Sequence, residues 1–337
     1  MSERELSIRV RYPLTQGRLE LRTDDDWDRS LQPDSYDEEN HIFTFRVTTG
    51  RPYLYFKPVI ALDGQMHWSH GKDYLILAGQ EAPGEVYPHF FDHSGCSVCE
   101  LQRYDAGEMS QGHSFRVFYP PGYQENTLAR YPVIYMQDGQ NLFFPNEAFG
   151  GTHWMVEETL SLLTAMNAIS QVIVVGVYPN DRMHDYTQPG YEAYGRFLTE
   201  ELKPFIDSRY RTLPGPRHTA VMGSSLGGVV SFFLAWNYPH VFGQAACLSS
   251  TFGYQDDLRQ RVSREAPPRV RFYLDSGWPQ DNFEVTRDMS VLLERRGYTT
   301  GRDLLYLAFP KAAHNESAWA MRCHIPFQFF FSEAAAG

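Results

Sequence analysis

The chain has 337 residues, 42% hydrophobic and 15% aromatic, enough to bury a sizeable core and to exclude wholesale disorder. Its 30 basic and 41 acidic residues give a formal charge of −11 without any basic stripe, so neither nucleic acid nor an anionic membrane is an expected partner. No stretch approaches the roughly 18 apolar residues of a membrane span, and residues 1–10 lack the basic head and apolar run of a signal peptide, so a cytoplasmic protein is expected.

Residues 6–85 read as all-β. Runs at 6–12, 18–22, 41–47 and 53–57 have strand-like alternation or β-rich composition, and turn-rich segments such as 23–26 and 49–52 separate them. Strands at this spacing without helices predict a small antiparallel sandwich. Trp27, Trp68 and Tyr74 read either as a sugar-stacking platform or as core and interface aromatics. Residues 80–85 read as a linker, which divides the chain into domains 1–85 and 86–337. The leading domain, with no reactive residue of its own, is expected to cover one mouth of the site or to form a homodimer contact.

Cys96 and Cys99 have neither a second ligand pair for zinc nor the helix N-terminus of a redox site, and read as two thiols at a strand start. With Cys247 and Cys323 they are too few and too scattered for a disulfide framework. Beyond them the pattern changes. Strands are predicted at 98–104, 114–119, 131–136, 172–177, 219–222, 245–248, 270–274 and 304–309, and helices at 154–166, 191–208, 226–237, 283–295 and 316–331. Two hairpin-like strands followed by alternating strand and helix predict an α/β domain, a mostly parallel sheet with helices on both faces. Its site is expected where the parallel strands end.

That edge contains the most specific signal in the chain. Ala220-Val-Met222 leads into Gly223-Ser-Ser225-Leu-Gly227 and then into an apolar helix, the strand, sharp turn and helix of a Gly-x-Ser-x-Gly nucleophile elbow with Ser225 at its apex. A serine hydroxyl needs a base to take its proton and an acid to orient that base, in the chain order Ser, acid, His. His240 closes the elbow helix and His324 sits on the last helix, whereas His314 follows the final strand and has the placement of the base. For the acid, Asp281 lies in the loop beyond the 270–274 strand. Asp275, at that strand's last position, serves either this role or a turn cap, and Glu284 is a further alternative. The oxyanion hole is expected from the backbone N–H groups of Leu226 and Gln140, the latter in the loop 137–143. No His or Asp pair sits at metal-ligand spacing on one element, so no metal is expected.

Several further segments join the elbow: Tyr131-Pro-Val-Ile-Tyr-Met-Gln-Asp-Gly-Gln-Asn-Leu-Phe143, Trp154, Asn180-Asp-Arg182-x-x-Asp-Tyr186, Tyr238-Pro-x-x-Phe-Gly243 and His314-Asn-Glu-Ser-Ala-Trp319. On these the chain resembles the putative esterase family, which includes esterase D, enterochelin esterases, feruloyl esterases and mycolyltransferases. The resemblance implies an α/β-hydrolase fold that acts on small-molecule carboxylic esters without a cofactor. It also implies a leading sandwich like that of the enterochelin esterases. Relatives often carry Gly-Thr-x-Asp/Glu after the penultimate strand, whereas here Gly277-Trp-Pro-Gln precedes Asp281, a one-residue shift that leaves the acid open. Arg182 and Tyr186 are expected either to bind an acidic or hydroxylated acyl group or to be tied to Asp185 or Glu192 as scaffolding, and Trp154 is a further substrate candidate. Three functions fit: ester hydrolysis, acyl transfer to an alcohol by the same residues, and a non-catalytic carbohydrate- or polyester-binding protein on a hydrolase scaffold.

Overall fold

Apolar residues at every second position of the first strand set the leading fold. In the computed structural model, which describes residues 3–79, 84–93, 95–105 and 112–332, β1 (Arg4–Arg11) buries Leu6, Ile8 and Val10. Strands β2 (Arg18–Thr23), β3 (Asp26–Leu31), β4 (Ser35–Asp37), β5 (Ile42–Thr49), β6 (Tyr53–Leu62), β7 (Gln65–Trp68), β8 (Tyr74–Leu77) and β9 (Gly84–Val86) follow. One sheet runs β4-β5-β1-β9, with Leu6, Ile8 and Val10 opposite Val47, Phe45 and Phe43. The other runs β3-β2-β6-β7, with β8 also on β6. Leu19, Leu21, Leu54 and Phe56 of the second sheet share one core with Ile8 and Phe45 of the first, which makes a sandwich. Tyr74 stacks on Phe56 and packs on this core, whereas Trp27 and Trp68 meet at 6.3 Å, with Trp68 exposed.

The expected linker lies outside the described residues over 80–83, and its last two residues, Gly84 and Glu85, begin β9. The smaller compact unit comprises Met1–Cys96 together with Pro120–Ala129 and Leu163–Asn167, so it runs past residue 85 and takes in two later segments. Glu125 shows why. Its carboxylate accepts the backbone N–H groups of Phe90, Phe91 and Asp92 and also the Tyr12 hydroxyl, and a cut at residue 85 would divide this last bond and the one from Asn126 Nδ2 to the Arg11 carbonyl.

The larger unit is built on one sheet in the order β10 (Ser97–Val98), β12 (Ser114–Tyr119), β14 (Ile173–Val177), β13 (Val133–Met136), β15 (Thr219–Ser224), β16 (Gln244–Leu248), β17 (Arg271–Trp278) and β18 (Leu304–Pro310). A further short strand, β11 (Gln102–Arg103), also pairs with β12. Strand β12 is antiparallel to β14, and every pair from β14 to β18 is parallel. Strands β13 to β16 are buried throughout, as expected of a parallel sheet covered on both faces. The expected 98–104 strand is split. Val98 faces Phe118 and Gln102 faces Phe115, which leaves one extra residue on that side. There the Val117 N–H donates to Cys99 Sγ, as at a β-bulge.

The helices are α1 (Val156–Ala165), α2 (Arg182–Tyr186), α3 (Gly190–Arg196), α4 (Lys203–Arg209), α5 (Leu226–Asn237), α6 (Leu258–Arg264), α7 (Phe283–Arg295), α8 (Glu316–Arg322) and α9 (His324–Phe331). The single helix expected at 191–208 passes from α3 through a π-helical stretch, Phe197–Leu202, into α4. The helix expected at 316–331 is broken at Cys323, where Pro326 removes the donor that would continue the α8 ladder. Among the described residues no helix is long and apolar enough to cross a membrane. The fold is therefore the expected one: an α/β-hydrolase-like sheet unit with a separate N-terminal sandwich. The chain leaves β13 for β14 on one side and later for β15 on the other, so the sheet's switch point lies beside the loops that follow β13 and β15.

Candidate active site

Ser225 stands between the end of β15 and the start of α5 with φ 57° and ψ −121°, a backbone conformation that costs about 1–3 kcal/mol and needs an enforcing surround. The surround is visible. The Ser225 N–H donates to the Leu248 carbonyl at the end of β16, and a Cβ on Gly223 would lie 2.4 Å from the Gly227 carbonyl oxygen. Immediately after the serine, the N–H groups of Leu226 and Gly227 open α5, where helical geometry provides them with no acceptor and the dipole favours negative charge.

On the other side of the switch point, the loop after β13 begins with Asp138 in the left-handed region (φ 55°) and makes a single 3₁₀ turn over Gly139–Asn141, which contains Gln140. Gly139 has to be glycine here. A Cβ would come within 2.6 Å of the Gly176 carbonyl on β14. The Asp138 N–H donates to the Tyr186 hydroxyl (3.0 Å), and its carboxylate takes a bidentate pair from Arg182 (2.8 and 2.9 Å). Arg182 is therefore tied to Asp138, and neither Asp185 nor Glu192 is its partner. Asp185 is bonded to His113 and the Asn180 N–H, and Glu192 meets Arg261. Tyr186 is fully buried and its hydroxyl holds the Asp138 N–H, the scaffolding alternative of the two expected for it. Trp154 is also buried. Its N–H bonds the Asn141 carbonyl, its ring packs 5.9 Å from Trp319, and its indole Nε1 is buried without a hydrogen-bond partner.

The third part follows β17 and β18. Asp281 and Asn282 both adopt left-handed backbone (φ 64° and 59°), which these residue types tolerate better than most, and the turn carries the Asp281 side chain back toward the sheet edge. His314 Nδ1 lies 2.5 Å from Asp281 Oδ1. The second carboxylate oxygen accepts from Ser249 Oγ (2.7 Å), the Gly277 N–H (2.7 Å) and Arg322 Nη2 (3.3 Å). Ser249 in turn accepts from Trp319 Nε1 (2.9 Å) and Arg322 Nη2, and Trp319 stands edge-on to the His314 ring at 5.0 Å. Burial alone would raise the Asp281 pKa, but the hydrogen bonds from His314, Ser249 and Gly277 outweigh it and hold the carboxyl below its ordinary range.

Asp275 is placed differently from its sequence reading. Strand β17 continues to Trp278, so Asp275 is mid-strand and fully buried, not at a turn. It accepts from Arg322 Nε (3.1 Å) and the Tyr273 hydroxyl (2.8 Å). Burial pushes its pKa up to about 6, against the pull of Arg322 and Tyr273. Glu284 is exposed on α7, and His324 bonds Gln328 on α9. Ser249 and Arg322 left no signal in the sequence. Trp319 lies in the His314–Trp319 segment already singled out, whose Asn315 caps α8 through the Ala318 N–H.

The lowered Asp281 pKa makes a pH prediction. Its contribution to stability is present above the unfolded value of 3.8 and is lost as pH falls through the lower folded value. The gap in Tm between the native chain and Asp281→Asn should therefore be widest near neutrality and shrink below about pH 4 in thermal melts. A constant gap would mean that the carboxylate gains nothing from its partners.

The comparisons with known proteins agree with this architecture. The uncharacterised protein YbbA of Bacillus subtilis is 23% identical over 223 residues, which cover 59% of this chain and 84% of that one. A ferulic acid esterase structure superposes with a TM-score of 0.59 at 17% identity, over 70% of this chain and 99% of its own. Ferric enterobactin esterase of Salmonella typhimurium matches 99% of this chain and 95% of its own with a TM-score of 0.58 at 12% identity. At these identities the two structures establish shared fold alone. Residues 106–320, well over half of the chain, match the family model described as Putative esterase, and the chain belongs to that family.

Proposed function

We propose that this esterase is a serine hydrolase in which Ser225 is the nucleophile, His314 the general base and acid, and Asp281 the carboxylate that orients the imidazole. One observation carries the reading. Asp281 and His314 are paired at 2.5 Å on the loops after β17 and β18, at the sheet edge where β15 leads into Ser225. Bound to Asp281 through Nδ1, the imidazole has Nε2 as its basic nitrogen. Ser225 Oγ attacks the ester carbonyl carbon as its proton passes to His314. The N–H groups of Leu226 and Gln140 stabilise the oxyanion of the tetrahedral intermediate, by analogy with donors each of which is worth about 3–4 kcal/mol in such sites. Collapse expels the alcohol, which takes the proton from His314, and water repeats the sequence on the acyl-enzyme. These steps use no cofactor. Of the three substrate candidates, Arg182 is the one with surface to offer a ligand, its side chain being 38% exposed. Tyr186 and Trp154 shape the loops behind it.

The test joins a fluorophosphonate label to an ester panel. A single adduct on Ser225 and turnover of p-nitrophenyl acetate are expected. Ferulate esters and enterobactin head the panel because the structural neighbours carry those names. A labelled protein that forms a new ester with added alcohol instead of free acid would be an acyltransferase. With neither label nor turnover, a binding protein on a hydrolase scaffold would remain.

A further inference from the structure

Strands β17 and β18 carry the Asp281 and His314 loops at one end and a second feature at the other. Around the N-terminal ends of these strands lies a cleft of about 420 Å³, within the size range of small-molecule sites. Four arginines line it, Arg269, Arg271, Arg296 and Arg302, against a single carboxylate, Asp303. In a chain of net charge −11 this concentration of positive charge is out of character. Asp303 is already held by Arg302 (2.8 Å) and by the Thr299 N–H. Among the described residues, Arg269, Arg271 and Arg296 form no ion pair.

Two of these unpaired arginines are held in place by neutral groups. Arg271 Nη2 donates to the Phe329 carbonyl (2.6 Å) and Nη1 to Gln244 Oε1 (3.4 Å), and its guanidinium stacks over the Phe329 ring at 4.3 Å. Arg296 Nη2 donates to the Glu265 carbonyl, while its Nε is buried with no hydrogen-bond partner. Pro267 and Pro268 also line the cleft, and the buried Tyr298 bonds the Pro268 carbonyl (2.7 Å). Four guanidinium groups against one carboxylate leave the cleft with an excess of positive charge, which raises the local potential.

We propose that this cleft is a binding site for a small polyanion, a molecule bearing phosphate or carboxylate groups that the planar guanidinium forks of Arg269, Arg271 and Arg296 hold by paired hydrogen bonds. It is separate from the esterase site. The eight residues of β17 alone span about 25 Å between the two.

Isothermal titration calorimetry of the full chain with pyrophosphate and, separately, citrate, at fixed ionic strength, tests it. Saturable binding of at least one anion with Kd below about 1 mM is expected. Binding of pyrophosphate alone assigns a phosphate ligand, citrate alone a carboxylate ligand, and both a site that reads charge. The double variant Arg269→Gln/Arg296→Gln should weaken binding at least about tenfold, with p-nitrophenyl acetate turnover and Tm unchanged. Should that variant fold poorly, the single variant Arg269→Gln, at an exposed residue, gives the same readout. Absence of saturable binding by both anions, or affinity indifferent to these substitutions, would overturn the proposal.

Discussion

Ser225→Ala is expected to abolish p-nitrophenyl acetate hydrolysis, with a loss in kcat of about 10⁴ to 10⁶, and to leave the thermal midpoint nearly unchanged. Chemistry and stability separate here because of where the side chain stands. Ser225 is the residue before α5, yet its hydroxyl makes no capping bond, so the helix does not depend on it. The backbone strain at φ 57° is common to serine and alanine, since both carry a Cβ, and what enforces it is the Ser225 N–H bond to Leu248 and the crowding at Gly223. Removing Oγ therefore removes the proposed nucleophile and little else. Circular dichroism and a melt on the same preparation show whether the fold is intact. Retention of more than about a tenth of native turnover by a folded variant would mean that the nucleophile is another residue.

The parts of this site that could be read in advance are those that local chemistry dictates. The Gly-Ser-Ser-Leu-Gly turn has to be flanked by a strand and a helix, and α5 runs over the residues expected, Leu226–Asn237. The buried parallel strands announce themselves as continuous apolar runs. What could not be read depends on tertiary partners. Asp275 looked like a turn residue because a carboxylate inside a buried strand is too costly alone, and its partner, Arg322, is 47 residues further on. Ser249 is one of several polar residues after a strand, and nothing local marks it as the group joining Asp281, Trp319 and Arg322. In the sandwich, β4, β7 and β9 are short strands, and the compact unit takes in a later segment because Glu125 and Asn126 bond the Tyr12 hydroxyl and the Arg11 carbonyl. The helix α2 was hidden by its five-residue length, though Asp181, which caps it, is a recognisable start signal.

The two buried aspartates should respond in opposite ways to the same change. Asp281→Asn is expected to lower kcat by about 10⁴ with a modest effect on KM. An amide at 281 can still accept from Ser249 or Gly277 through its oxygen, but it then turns its NH₂ toward His314 Nδ1 and favours the tautomer with the proton on the wrong nitrogen. Asp275→Asn does not touch the histidine. It takes from Arg322, whose side chain is 3% exposed, the nearer of its two carboxylate partners, and removing one partner of a buried ion pair costs up to about 3–5 kcal/mol. A clear drop in Tm with kcat within about tenfold of native is therefore expected from Asp275→Asn. Some loss of rate is built in, because Arg322 also donates to Ser249 and Asp281, so a guanidinium that has lost Asp275 shifts its hold on the carboxylate facing His314. The ratio of the two effects decides the assignment. If Asp275→Asn costs the orders of magnitude in kcat and Asp281→Asn only stability, then Asp275 orients the base and the 2.5 Å pair on the loops is structural.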